Sequence, residues 1–496
     1  MVIVGDPDRI VIPELGRIRQ KSGRLRGLRL LHTHLGKSGL TQEDLMDLVF
    51  LRLDSVAVLT AEAAGNPLFF QWAHLLPPNQ QSRLYHISEK TPWDQVDVDF
   101  NAQIEALETE LIRHLQGSRV SEDSEKALLI GVGTEPKHIQ SRSLEELGEL
   151  ASTAGLEVTD TLVQRVSKIH PHHILGKGKL AELEVLALQT GATALIFDRE
   201  LSPAQMRNLA HITERKIVDR TQVILDIFSQ HATSKAGKMQ VEMAQLDYTL
   251  PRLVGKNRAL SRLAGGIGGR GPGETKLELD RRKIKDRRTK INKELSKIRK
   301  HREFTRLRRS HAGLPIVALV GYTNAGKSTL LNTLTHSSVH TADKLFATLD
   351  PTSRRLRFPE DREIILTDTV GFIRYLPDNL KEAFLATLEE LHAADILVQV
   401  ADASHPEVET QIQAVQGILE EMGLQRIPRL LALNKWDLVL ASQRPVLRNL
   451  YPTGICVSAT RRDTLEPLIE AVVQKLPASY DFRVSSEDMN DPCLLG

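Results

Sequence analysis

The chain has 496 residues, 41% hydrophobic and 26% charged, a globular composition with no run near the ~18 apolar residues that a membrane span needs. Its start, MVIVGDPDRI, lacks the basic stretch and apolar core of a secretory signal, and two cysteines (Cys456 and Cys493) exclude a disulfide framework, so a cytoplasmic location is expected. The net charge of +2 conceals a block at 251–310 with 21 Lys/Arg against 6 Asp/Glu, which leaves −13 elsewhere and points to a polyanionic partner before a merely solvated helix.

Residues 1–120 read as a small α/β module of their own, of unassigned role. LTQEDLMDLVFLRL is helical, VAVLTA is a strand, and Pro77-Pro78 is a break. A second α/β domain is expected over 121–232. KALLIGVG is a buried strand, and SLEELGELASTAG is a helix closed by Gly155. LEVTDTLVQRV is a strand, KGKLAELEVLALQTG a helix and TALIFD a strand. SPAQMRNLAHIT is a helix with serine at the N-cap and proline at the first helical position, and KIVDRTQVIL is taken as a further strand. This alternation predicts a parallel sheet with helices packed on it.

Over 233–312 the strands stop. KMQVEMAQLDYTLPRLV is a helix, LAGGIGGRGPGETK is a glycine-rich loop, and a long basic helix follows. Leu277, Ile284, Ile291 and Ile298 recur seven apart, with Leu295 on the same side. Such a thin stripe suits packing on one partner helix, which gives a helical hairpin ended by Gly313 and Pro315. Strands and helices alternate again over 313–480, and 481–496 is a polar tail.

The chemistry lies in that last domain. PIVALVGYTNAGKSTLLNTL is strand, glycine loop, helix, and Gly321, Gly326, Lys327 and Ser328 fit G-x-x-x-x-G-K-[ST]. Backbone N–H groups of Gly321, Tyr322, Thr323, Asn324, Ala325 and Gly326 must converge on phosphate oxygens, so the loop needs glycines. The helix N-terminus adds a favourable dipole. Lys327 reaches the β- and γ-phosphates, the Ser328 hydroxyl ligates Mg²⁺, and Thr329 supports the loop.

In EIILTDTVGF an apolar strand ends at Asp368, 41 residues after Lys327, where a carboxylate stands behind Mg²⁺. Thr369 and Val370 lead to Gly371, whose N–H can meet the γ-phosphate. RLLALNKWDL ends another strand in Asn434, Lys435, Trp436 and Asp437. A carboxylate at Asp437 accepts both N1–H and the exocyclic amine of guanine; adenine would set a lone pair against it, so the motif selects G over A. In GICVSAT, Ser458, Ala459 and Thr460 put backbone amides near guanine O6.

The mobile threonine that completes the Mg²⁺ shell is Thr348 or Thr352, both in LFATLDPTSRR, and chemistry alone leaves both open. The position after D-x-x-G is Phe372, where many GTPases carry a water-orienting glutamine, so intrinsic hydrolysis is expected to be slow without a partner.

ILGKGKLAEL (174–183), FDRELSPAQMRNL (197–209), VDRTQVILDIFSQHA (218–232), GGIGGRGPGETKLELDRR (265–282), GYTNAGKSTL, LFATLDPTSR and DTVGFIRYLP together resemble the HflX family of translation-factor-related GTPases, over about 125–480. The resemblance implies an α/β chain with a P-loop GTPase domain, its mostly parallel sheet flanked by helices on both faces. A smaller parallel α/β domain and a basic helical hairpin precede it. It selects Thr348, in the segment Phe346, Ala347, Thr348, Leu349, Asp350, as the Mg²⁺-ligating switch residue. Lys327, Thr348 and Gly371 would then carry the catalytic step. It also implies the large ribosomal subunit as partner, contacted through rRNA by 264–309, with ribosome splitting or rescue under stress as the role. Fifteen basic residues at 281–310, on several helix faces, agree with phosphate contacts.

The competing assignment is a GTP-regulated membrane-surface or cell-division switch using the basic helix on anionic lipid, which would place the chain peripherally at a membrane. Its apolar stripe is thin and lacks aromatics, which argues against insertion. His170-Pro171-His172-His173 reads as structural or RNA-facing rather than metal-binding. Gly176-Lys177-Gly178-Lys179 opens a helix. The resemblance raises ATP there as a second nucleotide, but an rRNA phosphate contact or a simple cap is the preferred reading. Cys456 is a small residue in a strand, and the chain is expected to act as a monomer.

Overall fold

In the computed structural model the described residues are 25–36, 38–77, 83–116, 125–172, 174–213, 215–253, 276–311, 314–335, 345–346, 352–357, 363–369, 371–374 and 389–476. They form two compact units divided after Val223.

The first unit contains two sheets. Strand β1 (Arg29–Leu35), helix α1 (Gln42–Phe50) and parallel strand β2 (Ser55–Ala61) make a crossover, and β3 (Pro67–Leu75), β4 (Tyr85–Ile87) and β5 (Thr91–Pro92) extend the sheet antiparallel. Thr41 caps α1: its side chain accepts from the Asp44 N–H, and the Asp44 carboxylate reaches back to the Thr41 N–H. Helix α2 (Phe100–Gln116) follows.

The second sheet, in the order β7-β6-β8-β9, is parallel throughout: β6 (Lys126–Gly133), β7 (Glu157–Arg165), β8 (Ala194–Phe197) and β9 (Lys216–Asp219). Helices α3 (Lys137–Thr153), α4 (Lys177–Gln189) and α5 (Pro203–Ile212) connect its strands. Ser202 and Gln205 form the capping box of α5, and Gly155 follows α3 at φ +88°, a conformation that glycine adopts without a Cβ penalty.

Two expectations change here. The first sheet does not pack alone: Leu45, Leu48, Val56 and Leu75 share one apolar cluster with Ala181, Val185 and Leu188 of α4, so the boundary expected near 120 is not a break in the core. KIVDRTQVIL is also not one strand. It turns at Asp219 into α6 (Arg220–His231). The buried Asp219 carboxylate accepts from the N–H groups of Gln222 and Leu201, capping the new helix. Arg220, itself buried, pairs with Glu146 and Asp198. That capping residue and paired charge outweigh the β-branched run that suggested a strand.

In the second unit α7 (Lys235–Arg252) packs along α8 (Lys276–His311), forming the expected hairpin. Ile291 is 2% exposed while Ile284, Leu295 and Ile298 are half-buried, so the heptad stripe is the seam. Arg287 pairs with Glu242 at 2.6 Å and Arg288 with Asp247 at 2.9 Å across it. The glycine-rich loop lies outside the described residues.

The remaining sheet runs β11-β12-β10-β13-β14-β15. Its strands are β10 (Ile316–Gly321), β11 (Thr352–Arg357), β12 (Glu363–Asp368), β13 (Ile396–Asp402), β14 (Arg429–Asn434) and β15 (Ile455–Cys456). All pairings are parallel except β11 with β12. Its helices are α9 (Lys327–Thr335), α10 (Val408–Glu421), α11 (Arg444–Leu450) and α12 (Glu466–Lys475). Residues of α9 and α12 cover one face with Leu319, Leu366 and Val398, while α10 and α11 cover the other with Ala401 and Leu433. Helices thus lie on both faces, and Cys456 is half-buried in the last strand.

Candidate nucleotide site

The strand-end motif residues fall at the carboxyl edge of this parallel sheet, where doubly wound folds bind ligands. Gly321 ends β10, Asp368 ends β12 and Asn434 ends β14. The loop after β10 is shaped by its glycines. A Cβ on Gly321 would lie 2.2 Å from the Val400 carbonyl oxygen, and Gly326, at φ +88°, would meet the Asn434 amide at 2.3 Å. Asn324 also adopts positive φ, at +58°. The loop therefore turns tightly into the start of α9, but contrary to the expectation for every loop amide the Thr323 N–H donates to Phe372 O and the Ala325 N–H to Tyr322 O.

Lys327 is buried at the first position of α9, and its ammonium donates to the carbonyls of Gly321 (3.1 Å) and Tyr322 (2.8 Å). An ammonium has three donors, so one remains for a phosphate oxygen. Burial lowers the Lys327 pKa to about 8, opposed by the Asp368 carboxylate. Ser328 Oγ donates to Asp368 Oδ2 at 2.6 Å, and Asp368 is 0% exposed. A buried carboxylate holding the serine hydroxyl is an oxygen donor set that fits Mg²⁺, with Ser328 in front and Asp368 behind.

The D-x-x-G segment is stitched to the loop. Phe372 N–H donates to Gly321 O at 3.0 Å, and Thr323 N–H donates to Phe372 O at 2.8 Å. A Cβ on Gly371 would sit 2.8 Å from Thr323 Cα, so only glycine allows this approach. Phe372 is buried, and its side chain is part of the fold beneath the site.

On the base side, Asn434 bridges two loops. Its amide donates to the Ala325 carbonyl and its carbonyl accepts from Ala459 N–H, both at 2.8 Å. Lys435 adopts positive φ (+57°), turning the exposed Asp437 out of the strand end, and Asp437 N–H donates to Ser458 Oγ at 3.2 Å. Trp436 is half-buried beside them, and Thr460 is exposed at the rim. Ala347, Thr348, Leu349, Asp350 and Val370 lie outside the described residues. Phe346 is buried, with its ring edge-on to Phe228 at 4.7 Å between centroids.

Several supporting residues escape a motif reading. Asp402 pairs with Lys435 at 2.7 Å, Thr369 Oγ1 donates to Leu319 O at 2.7 Å, and Thr333 Oγ1 donates to Ala459 O at 2.6 Å. Only Asp402 leaves a trace in sequence, as an acid ending the apolar strand ILVQVAD. Outside the site, the described part of the histidine run is tied down by α5: Gln205 and Asn208 donate to the carbonyls of His170 and His172.

Family models described as GTP-binding GTPase N-terminal, GTP-binding GTPase middle region and 50S ribosome-binding GTPase match residues 141–229, 231–309 and 316–435. GTPase HflX of Caldanaerobacter subterraneus is 48% identical over 72% of this chain and 82% of its own. The Escherichia coli protein of the same name is 43% identical over 71% and 83%. A GTP-binding protein of Sulfolobus solfataricus, solved with GDP, is 26% identical over 71% of this chain and 98% of its own, with a TM-score of 0.37. Sequence identity over this span, together with a complete phosphate loop, D-x-x-G and N-K-x-D on one sheet edge, shows that the chain belongs to the HflX family of GTPases and hydrolyses GTP.

Proposed function

We propose that this GTPase acts on the large ribosomal subunit, splitting or rescuing ribosomes under stress, with GTP governing attachment and hydrolysis permitting release. The observation that carries this is the hairpin. Its second helix is about 54 Å long at 1.5 Å per residue. It buries one seam on α7 and leaves Lys283, Lys285, Lys290, Lys293, Lys297 and Lys300 exposed. A rigid cationic rod of this kind suits an rRNA backbone, where phosphate contacts give affinity without base readout. The family description of residues 316–435 as a 50S ribosome-binding GTPase supports the same partner.

In the hydrolytic step Lys327 holds the β- and γ-phosphates with the N–H group its two carbonyl partners leave over. The loop amides and the start of α9 take up charge on the phosphate oxygens as the bond to the leaving oxygen lengthens. Bound Mg²⁺, held by Ser328 and Thr348 with Asp368 behind, would add charge neutralisation between the β- and γ-phosphates. Gly371 N–H meets the γ-phosphate, so its loss frees the segment that Phe372 anchors to the loop. Asp437 reads guanine, with the amides of Ser458, Ala459 and Thr460 at O6. Phe372 supplies no group to orient the attacking water, so turnover waits for the partner.

The test is co-sedimentation with purified large subunits in GTP, a non-hydrolysable analogue, and GDP. Binding retained with the analogue, weak with GDP and falling steeply with salt is expected. Equal binding in all three states, or none, would overturn the reading.

A further inference from the structure

We propose that the N-terminal sheet carries a transition-metal site, with His32, His34 and Asp44 binding one divalent cation of the Zn²⁺ class. His32 and His34 lie two apart on β1 and so share one face. It is the core face, since Leu30, two residues before His32, packs in the apolar cluster beneath α1. Asp44 stands in the first turn of α1, the crossover helix that leaves the end of β1. The three residues therefore meet at the carboxyl end of a parallel strand and the start of its following helix, the usual ligand position of an α/β crossover.

Their donor atoms converge. His32 Nε2 is 3.0 Å from His34 Nε2 and 3.0 Å from Asp44 Oδ1, and His34 Nε2 is 3.7 Å from Asp44 Oδ2. Two ligands at ~2.0–2.1 Å from a tetrahedral Zn²⁺ lie about 3.3 Å apart, close to the 3.0 Å that separates His32 Nε2 from both His34 Nε2 and Asp44 Oδ1. Side-chain exposures of 5%, 21% and 13% bury the cluster while leaving its outer edge accessible. A fourth position is thus available to water or another donor.

The surrounding bonds favour a cation over a proton. His34 Nδ1 lies 3.2 Å from the Gly39 carbonyl, an acceptor, which fixes the ring proton there and turns the Nε2 lone pair into the cluster. The second oxygen of Asp44 accepts from Thr41 N (2.7 Å) and Thr41 Oγ1 (2.8 Å), which orients the carboxylate. Without a cation, one proton on His32 Nε2 must serve both His34 Nε2 and Asp44 Oδ1. A divalent ion satisfies all three donors at once.

His32 Nδ1 is buried with no hydrogen-bond partner, so metal bound through Nε2 leaves that N–H without an acceptor. A missing partner of this kind costs roughly 10–100-fold in affinity. The site lies outside the residues that the family models match, and the nucleotide chemistry does not use it.

The full chain, stripped by chelator and loaded with Mg²⁺ and GDP, is titrated with Zn²⁺ against a chromophoric chelator, and separately with Co²⁺ followed by visible absorption. One Zn²⁺ per chain is expected, with a Co²⁺ band of tetrahedral intensity. His34→Gln and Asp44→Asn should each weaken Zn²⁺ binding at least about tenfold and remove the Co²⁺ band, leaving GTP hydrolysis unchanged. Asp44→Asn also alters the helix cap. If it misfolds by circular dichroism, His34→Gln, at the more accessible member of the cluster, decides alone. Absence of stoichiometric Zn²⁺ binding in the wild type, or equal binding by His34→Gln, overturns the proposal and leaves a hydrogen-bonded His–His–Asp cluster.

Discussion

Asn434 donates to the Ala325 carbonyl at 2.8 Å, so the N-K-x-D loop and the glycine loop after β10 form one hydrogen-bonded unit. The same side chain, 1% exposed, accepts from Ala459 N–H, joining a third loop. Asn434→Ala leaves a buried carbonyl and a buried N–H unpaired, each costing ~1–3 kcal/mol. GDP affinity should fall by about two orders of magnitude or more, measured with a fluorescent GDP analogue. A drop of less than threefold would show that the three loops hold their places independently.

Lys327 gives nucleotide binding a pH dependence. Its pKa is lowered to about 8, and a phosphate beside the ammonium favours the protonated form. Affinity should therefore be flat below about pH 8 and decline above it, as binding must then take up a proton. Titrations of GDP from pH 7 to 9.5 test this. Lys327→Ala should bind far more weakly and lose the lysine component of the slope, leaving only the ionisation of guanine itself.

In the proposed reading Asp437 governs base choice. Removing its charge by Asp437→Asn loses two charge-assisted bonds to guanine, each worth ~1.5–3 kcal/mol. GTP affinity should drop by roughly 10²–10⁴-fold, and xanthosine triphosphate, which offers a carbonyl in place of the amine, should gain relative to GTP. The backbone bond from Asp437 N–H to Ser458 persists in the variant, so the loop itself is retained. Unchanged discrimination between the two nucleotides would remove Asp437 from the reading of the base.

Phe372 is expected to keep the basal rate low. It is 5% exposed, so Phe372→Gln buries an amide instead of delivering one to the attacking water. Wild-type turnover without a partner should lie at or below ~10⁻² s⁻¹, the range of switch GTPases lacking external help. The glutamine variant should be no faster and less stable. Fast basal turnover of the wild type, in single-turnover phosphate release, contradicts this account of the site.

Ile291 locks the hairpin. Truncation of this buried side chain to alanine should cost ~2–5 kcal/mol locally. Hydrogen exchange over 276–311 should accelerate while β10–β15 stay protected. Uniform exchange rates in both variants would mean that α8 does not rely on the seam.

The GTPase family and its ordered motifs are legible in the sequence alone. Gly321, Lys327, Asp368, Asn434 and Asp437 are legible because the proposed phosphate, magnesium and guanine contacts would each demand particular atoms at the end of a buried strand. The capped helix beginning at Ser202 and the heptad seam through Ile291 are equally legible, since capping and periodicity are local properties.

How distant segments share atoms emerges only from packing. That RTQVIL is helical depends on Asp219 capping it and on Glu146 and Asp198 receiving Arg220. That the first sheet shares its core with α4 depends on Val185 and Leu188, an apolar face whose partner no local pattern names. The links from Asp402 to Lys435 and from Thr333 to Ala459 join residues 33 and 126 apart. The His32–His34–Asp44 cluster arises in the same way: a strand face and a helix cap meet only once the crossover has folded. Sequence spacing encodes periodicity and motif order, whereas convergence of side chains across the fold is set by packing.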